Sequence, residues 1–181
     1  MLHCIRSNRF LALFWGRCYH AGMKDKTVKT NAMRILEKNN ISYTTVTYEV
    51  DEKQLDAVHI AQSAGLELEK VFKTIVMVNQ SKELFVFCLP AQLDISLKKA
   101  REITGSKSID LLELELLQKY TGYIRGGCSP LGMIHSYPTF IEELATLEDF
   151  IYVSGGLRGV QVCLAPEDLR RCCNGTFASF T

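Results

Sequence analysis

Lys73 is a charged residue at the start of an apolar run. The run, residues 74–78, is rich in β-branched side chains and predicts a buried strand. A lysine at such a position either extends its ammonium group into water or holds it in a cleft. In a cleft, the cation could bind a phosphate, a carbonyl oxygen or a developing oxyanion. The position alone favours the solvated alternative, so a functional role for Lys73 needs support from other residues.

Two glycine-rich segments offer a different kind of chemistry. Residues 126–132 hold three glycines and Pro130, and residues 154–159 hold three more glycines. Glycine lets the backbone approach a ligand closely, so that N–H groups can donate to a carbonyl oxygen or a phosphate. Such segments are also common as simple connections. The presence of two favours a functional interpretation, in which both line one cleft.

Cys128 and Ser129, inside the first of these segments, raise the hypothesis of a protein nucleophile. A nucleophile needs a base within reach, and His135 is the nearest histidine in the sequence. Nothing in the sequence brings His135 back toward the segment. We therefore favour a plain loop thiol over a Cys–His or Ser–His pair.

The cysteines and histidines show no metal-binding pattern. None of the seven cysteines forms a CxxC pair, and the four histidines have no familiar zinc spacing. We expect reduced thiols, no metal, no cofactor and a cytoplasmic location.

Alternating helices and strands would position these residues. The run at 84–89 follows 74–78 after a polar turn and predicts a hairpin buried on both faces. Further strands are expected at 43–48, 150–153 and 160–164. Helices are expected near 28–36, 57–64, 95–104 and 111–120, and from Pro166 onward. The pattern predicts one α+β domain around a mixed sheet.

Length and charge limit the classes of protein that fit. The 181 residues match one domain, and a formal net charge of +1 gives no indication of a strong, non-specific nucleic-acid binder. Residues 1–22 mix arginines with an apolar run that is too short to span a membrane, so we expect an extension outside the fold. The predicted domain is residues 23–181. Basic residues in it could contact tRNA or merely face solvent; they are Lys24, Lys26, Lys29, Arg34, Lys38, Lys98, Lys99 and Arg101.

Several ordered motifs together resemble the YbaK/EbsC family. They are VFKT at 71–74, QLD at 92–94, TGYIRGGCSPLG at 121–132 and IYVSGGLRG at 151–159, after an opening AMRILEKNNISY at 32–43 with TYE at 47–49. The resemblance runs in order from about residue 30 to about residue 177. It covers essentially the whole predicted domain.

This resemblance implies a freestanding relative of the editing domain of prolyl-tRNA synthetase, with a barrel-like mixed sheet surrounded by helices. The implied activity is deacylation of tRNA(Pro) that carries cysteine, with the synthetase as a possible partner. Lys73 becomes the central functional lysine, and the first glycine-rich segment becomes the loop around the substrate. The catalytic set is Lys73, Gly126, Gly127 and Cys128, and the substrate-binding set is Tyr48, Ser129, Pro130, Gly132, Ser154, Gly155 and Gln161.

The sequence departs from the family pattern at two positions. Gln161 stands where an acidic residue is expected, and Leu157 stands where a basic residue is common. Gln161 can accept a hydrogen bond from an ammonium group but supplies no charge. The departure therefore bears on which amino acid is preferred.

The mechanism that the family implies needs no protein nucleophile. The cysteine thiol of the substrate attacks its own ester carbonyl, releasing tRNA and a cyclic thiolactone. Our hypothesis for this sequence is that Lys73 orients the acceptor end and that backbone amides of residues 126–128 stabilise the oxyanion. Two alternatives remain open from the sequence. One is hydrolysis of Ala- or Ser-tRNA by water in the same fold, and the other is a non-catalytic regulatory or binding protein.

Overall fold

The computed structural model describes residues 28–181. The predicted extension at 1–22, the start of the domain at residue 23, and Lys24 and Lys26 lie outside the described residues.

The larger sheet contains five strands. Its centre is the expected hairpin, in which β2 (Phe72–Asn79) pairs antiparallel with β3 (Leu84–Pro90). β4 (Ile109–Leu111) adds to the free edge of β2, and β5 (Thr139–Glu142) and β8 (Thr176–Ala178) continue in parallel beyond β3. The strand order is therefore β4-β2-β3-β5-β8.

The smaller sheet contains three antiparallel strands in the order β1-β7-β6. They are β1 (Thr44–Thr47), β6 (Ile151–Ser154) and β7 (Val160–Leu164). A single parallel bridge between Val71 and Tyr152 links the start of β2 to β6. The two sheets therefore adjoin at the end of β2 that carries Lys73.

Five α-helices lie in the described part of the chain. They are α1 (Asn31–Lys38), α2 (Ala57–Ser63), α3 (Leu97–Thr104), α4 (Leu114–Thr121) and α5 (Pro166–Cys173), with short 3-10 turns at Leu68–Lys70 and Glu143–Leu147. Side-chain oxygens of Thr30, Asp56 and Ser96 accept backbone N–H groups at the starts of the first three helices. Left-handed glycines end α3 and α4, as expected for helix C-termini.

The hydrophobic core has two main parts. One cluster joins α1 to β6 and β7, including Leu36, Val153 and Val162. The other lies on the larger sheet around Phe87, whose ring packs against Phe140 and Phe180 with centroids 5.4 and 5.1 Å away. Both parts pack on strands, so the helices cover the sheets as expected for an α+β fold.

The α+β class, the single domain and the mixed sheet are confirmed. Three strands were not predicted, namely β4, β5 and β8, and the helix expected at 111–120 was wrong at its start. Leu111 belongs to β4, and the helix begins at Leu114, because Leu111 pairs with Met77 across the edge of β2. The first helix also begins later than expected, since Thr30 caps its N-terminus.

Candidate active site

A cavity of about 520 Å³ opens where the two sheets adjoin. Residues from β2, α2, the β4–α4 region, the first glycine-rich segment and the ends of β6 and β7 line it. The lining includes five residues of the predicted site: Lys73, Gly126, Cys128, Ser154 and Gln161. The structure thus brings residues that are far apart in sequence to one cavity.

Lys73 reaches this cavity from the second position of β2, opposite Leu89 of β3. Its Nζ lies 3.3 Å from Oδ1 of Asp94, and the side chain is 23% exposed while that of Asp94 is 97% exposed. An ion pair with a solvated carboxylate is weak. The ammonium group of Lys73 therefore keeps donors for a ligand in the cavity.

The first glycine-rich segment is held by hydrogen bonds at its far end. The buried Tyr123 hydroxyl donates to the carbonyl of Leu131 at 2.6 Å, and the Asn31 amide donates to the carbonyl of Gly132 at 2.8 Å. Ser129 is fully buried, and its Oγ accepts the N–H of Leu131 at 3.3 Å. The predicted substrate-binding residues Ser129, Pro130 and Gly132 thus lie in the base of the loop, outside the cavity lining.

The backbone amides nearest the cavity differ in availability. The N–H of Gly127 donates to the carbonyl of Ile124 at 3.0 Å, which closes a turn. Within residues 28–181, no protein group accepts the amides of Gly126 and Cys128, and both residues line the cavity. Of the three predicted amide donors, these two can serve a developing oxyanion.

The side chain of Cys128 is not set up as a nucleophile. Burial raises the pKa of its thiol to about 12, so the thiolate form is scarce near neutral pH. His135 is exposed, and its ring contacts that of Tyr137 with centroids 6.2 Å apart. No described hydrogen bond joins His135 to Cys128 or Ser129. Within residues 28–181, neither Cys128 nor Ser129 therefore forms the pair with His135 that acyl transfer by either side chain would require.

The second glycine-rich segment is the turn that joins β6 to β7. Ser154 and Gln161 face each other in register across this turn, and both line the cavity. The amide of Gly155 donates to the carbonyl of Val160 at 3.0 Å and so belongs to the turn itself. Gln161 is only 4% exposed, and within the described residues its Oε1 has no hydrogen-bond partner. A buried acceptor without a donor fits a ligand that supplies one.

Arg158 connects the two glycine-rich segments. Its Nε donates to the carbonyl of Arg125 at 2.8 Å, immediately before Gly126, and its guanidinium lies 3.9 Å from a carboxylate oxygen of Glu52. Sequence reasoning did not predict this role. The sequence shows Arg158 within the second glycine-rich segment, but it does not show that the partner of this side chain is the carbonyl of Arg125.

Tyr48 lines a neighbouring pocket of about 400 Å³ together with Glu49 and His59. Leu55 and Ile60 border both pockets, so the two are adjacent. The backbone N–H of Tyr48 donates to the carbonyl of Gly159 at 3.0 Å. Tyr48 therefore hydrogen-bonds to the second glycine-rich segment and lies outside the lining of the larger cavity.

Other residues of the cavity were not predicted. Arg125 lines it beside Gly126, as do four leucines of the β4–α4 region, which are Leu111, Leu112, Leu114 and Leu117. Arg125 lies within a motif that was recognised, so its charge was a usable signal. The leucines were assigned to a helix stripe, which usually marks a core.

Other charged groups make contacts away from the cavity. Lys29 pairs with Glu37 on α1, and Lys99 of α3 donates to the carbonyl of Thr181.

Within residues 28–181, no three acidic, histidine or cysteine side chains converge as metal ligands, and no helix combines the length and apolar character needed to cross a bilayer.

The model of the aminoacyl-tRNA editing domain family matches residues 51–172. A protein of Enterococcus faecalis with the provisional name Cys-tRNA(Pro)/Cys-tRNA(Cys) deacylase EbsC is 40% identical over 153 residues, which cover 84% of this chain and 93% of that protein. The family model spans the cavity residues from Lys73 to Gln161. The chain belongs to the aminoacyl-tRNA editing domain family, and within it to the YbaK/EbsC group.

Solved structures share the fold at low identity. The hypothetical protein APE2540 superposes with a TM-score of 0.76 at 13% identity, over 83% of this chain and 99% of its own. A protein described, also provisionally, as a trans-editing enzyme for prolyl tRNA synthetase gives a TM-score of 0.73 at 19% identity, over 87% and 99%. The family resemblance and the predicted enzyme class, an aminoacyl-tRNA deacylase, are confirmed.

Proposed function

We propose that this chain is a trans-editing deacylase that removes cysteine from mischarged tRNA(Pro) by using the thiol of the substrate. The observation that carries the proposal is the cavity, which among the described residues offers a cation, two available amides and a buried acceptor, while its Cys128 thiol is not activated as a nucleophile. The printed name of the Enterococcus faecalis relative supports cysteine as the amino acid.

The proposed reaction is an intramolecular acyl transfer. The substrate thiol, whose ordinary pKa is about 8.5, loses its proton to solvent and attacks the ester carbonyl. A carbon–sulfur bond forms, the carbon–oxygen bond to the ribose breaks, and the ribose oxygen takes up a proton. The products are free tRNA and a cyclic thiolactone, which water then opens to cysteine.

The amides of Gly126 and Cys128 would stabilise the oxyanion of the tetrahedral intermediate. A preorganised donor of this kind contributes about 10²–10³ in rate. Lys73 would hold the acceptor end through the negative charge of the adjoining phosphate or the oxyanion itself. Its partial burial and weak pairing with Asp94 support both roles.

Gln161 would bind the α-ammonium group of the substrate. Its Oε1 is buried and has no partner among the described residues, so an ammonium donor would satisfy it. Cysteine, alanine and serine esters all carry this group, so Gln161 would orient the ester without choosing among them. Selection would come from the thiol, which only cysteine supplies.

Selection by the thiol has a consequence for tRNA. A site that responds to cysteine treats the correctly charged tRNA(Cys) in the same way, and the printed name of the relative includes that substrate. The near-neutral net charge of +1 supports weak binding of tRNA by the chain alone. Prolyl-tRNA synthetase as a partner would then direct the activity to tRNA(Pro).

The decisive experiment measures deacylation of Cys-tRNA(Pro) and Ala-tRNA(Pro) by the wild type and by Lys73→Ala. We expect rapid loss of cysteine only, reduced by about 10²–10³ in the variant, because the substitution removes a cation that lines the cavity and would hold developing negative charge. Lys107→Ala, at an exposed lysine outside the cavity, is the matched control and should retain full activity. Melting curves verify that the variants fold.

Each outcome leads to a different conclusion. Loss of alanine with equal ease would contradict thiol selection and favour attack by water in the same cavity. An active Lys73→Ala enzyme would remove Lys73 from the mechanism. Failure of the wild type on both esters, even with prolyl-tRNA synthetase added, would favour a non-catalytic binding protein.

A further inference from the structure

Four leucines contribute to the lining of the cavity, and we call them the leucine shelf: Leu111, Leu112, Leu114 and Leu117. The shelf follows the edge strand β4 into the first turn and a half of α4. Leu111 is 65% exposed and Leu114 is 54% exposed, although both border a cavity. Apolar side chains that are exposed beside a concave site mark a ligand-binding surface more often than a core.

The size of the cavity shows that the amino acid alone does not fill it. Cavities of about 300–1,000 Å³ enclose ligands of drug size, and this one measures about 520 Å³. A cysteinyl group placed against Gly126, Cys128 and Gln161 occupies the polar end. The leucine shelf shares no residue with that set, which leaves it for a larger, flatter and less polar occupant.

The chemistry of the substrate supplies one. In an aminoacyl-tRNA the ester joins the amino acid directly to the ribose of the terminal adenosine, so this nucleoside must lie beside the reacting carbonyl. Its base has apolar faces that pack on aliphatic side chains. The shelf offers no side-chain donor or acceptor for base readout, and none is needed, because every tRNA ends in the same adenosine.

We infer that the leucine shelf binds the adenine of the 3′-terminal nucleoside of tRNA, with Leu111 and Leu114 against the base. The inference rests on the proposed function. It assigns a role to the part of the cavity that the proposed acyl transfer does not use. Arg125 also lines the cavity, directly before Gly126 of the first glycine-rich segment. Its guanidinium supplies a positive charge for the phosphate that adjoins the terminal nucleoside. The shelf recognises a feature that all tRNAs share, so it adds affinity without choosing among them.

A titration with adenosine tests the shelf without any turnover. In protein labelled at leucine methyl groups, adenosine should shift the NMR signals of Leu111 and Leu114 in a saturable manner. Ribose 5-phosphate at equal concentration should leave them unchanged. Signals of both leucines that do not respond to adenosine, or that respond equally to ribose 5-phosphate, would overturn the inference.

A kinetic comparison tests its contribution to the reaction. Replacing both exposed leucines, Leu111→Ser with Leu114→Ser, should lower kcat/KM for Cys-tRNA(Pro) by about ten- to a hundredfold, the range expected for one or two lost leucine contacts. Leu147→Ser is the matched control, since Leu147 is 77% exposed and outside the cavity lining. A double variant as active as this control would contradict the inference.

The two experiments separate the inference from the proposed function. A wild type that binds adenosine at the shelf but turns over no ester would sink the proposed function and retain the shelf. A wild type that deacylates Cys-tRNA(Pro) while its shelf ignores adenosine would do the reverse.

Discussion

The two glycine-rich segments look alike in the sequence but have different functions in the fold. The first, residues 126–132, leaves the amides of Gly126 and Cys128 without a protein acceptor at the cavity. The second, residues 154–159, uses its Gly155 amide within the β6–β7 turn and sends the Arg158 side chain to the first segment. In the proposed mechanism the first segment offers its backbone amides to the substrate, and the Arg158 side chain of the second hydrogen-bonds to the carbonyl just before that segment.

The difference arises from what flanks each segment. The second lies between two paired strands, so the ladder between Ser154 and Gln161 continues almost into the turn. The first follows the end of α4 and has no strand partner, so side chains such as Tyr123 and Asn31 hold it instead. A loop that is fixed by side chains retains free amides, and this is what an oxyanion site requires.

Among the variants that test this comparison of the two segments, Gly126→Ala should have the largest effect, because it changes the backbone conformation of the first segment. Gly126 has φ +81°, and an added Cβ would lie 3.2 Å from a methyl carbon of Leu55. A left-handed conformation costs an ordinary residue about 1–2 kcal/mol, so the loop should relax and move its amides. We expect deacylation of Cys-tRNA(Pro) to fall about a hundredfold, the effect of losing one oxyanion donor.

Gly65→Ala is the matched control for this variant. Gly65 has φ +65°, and an added Cβ would meet nothing within 4 Å. It should lower the melting temperature in a similar way and leave kcat unchanged. Equal activity of the two variants would show that the backbone at Gly126 has no part in the reaction.

A smaller effect is expected from Arg158→Ala, which removes the support from the second segment. The loss of the 2.8 Å bond to the carbonyl of Arg125 frees the loop to sample other positions. We expect kcat to fall about tenfold with little change in KM, since a neutral or charge-assisted hydrogen bond contributes about 1–3 kcal/mol. Arg158→Lys, which keeps one donor, should recover part of the loss.

A higher KM with an unchanged kcat would identify Arg158 as a tRNA contact and contradict a positioning role. Arg171→Ala provides the control, because Arg171 pairs with Asp168 on the surface of α5 away from the cavity.

The smallest effect is expected from Cys128→Ala, which tests whether the first segment contributes only backbone. The thiol pKa of about 12 lies above the ordinary value, so Cys128 remains protonated throughout pH 6–9. The rate should rise with pH as the substrate thiol ionises near its ordinary pKa of about 8.5. The variant should show the same pH profile as the wild type. A lost rise, or a dead enzyme, would make Cys128 a nucleophile.

The sequence predicts the elements whose signals are local. The hairpin β2–β3 was predicted because both strands are continuous apolar runs, and α3 and α4 end at glycines as expected. β4, β5 and β8 were missed because they are short and form only through distant partners. In β5, Glu142 is 1% exposed, and its carboxylate accepts the N–H groups of Phe180 and Thr181. A buried glutamate gives no strand signal without those partners.

The candidate site shows the same division between local and distant information. Motif resemblance placed Lys73 and both glycine-rich segments in one cleft, and the structure puts Lys73, Gly126 and Gln161 around one cavity. The leucine shelf and the Arg158 contact were missed. A leucine beside a cavity and a leucine in a core look the same in sequence, because only the tertiary fold decides which of them faces a ligand.

The pairing of β1 with β7 also determines when the site forms during folding. Thr44 lies opposite Cys163, so most of the described chain must close into a loop for this pairing to form. Such contacts are slow compared with a hairpin such as β2–β3. A chain that has formed only the hairpin holds Lys73 in its strand but has not yet paired the strand that carries Gln161. We therefore expect the recovery of activity during refolding to lag behind the burial of the hairpin.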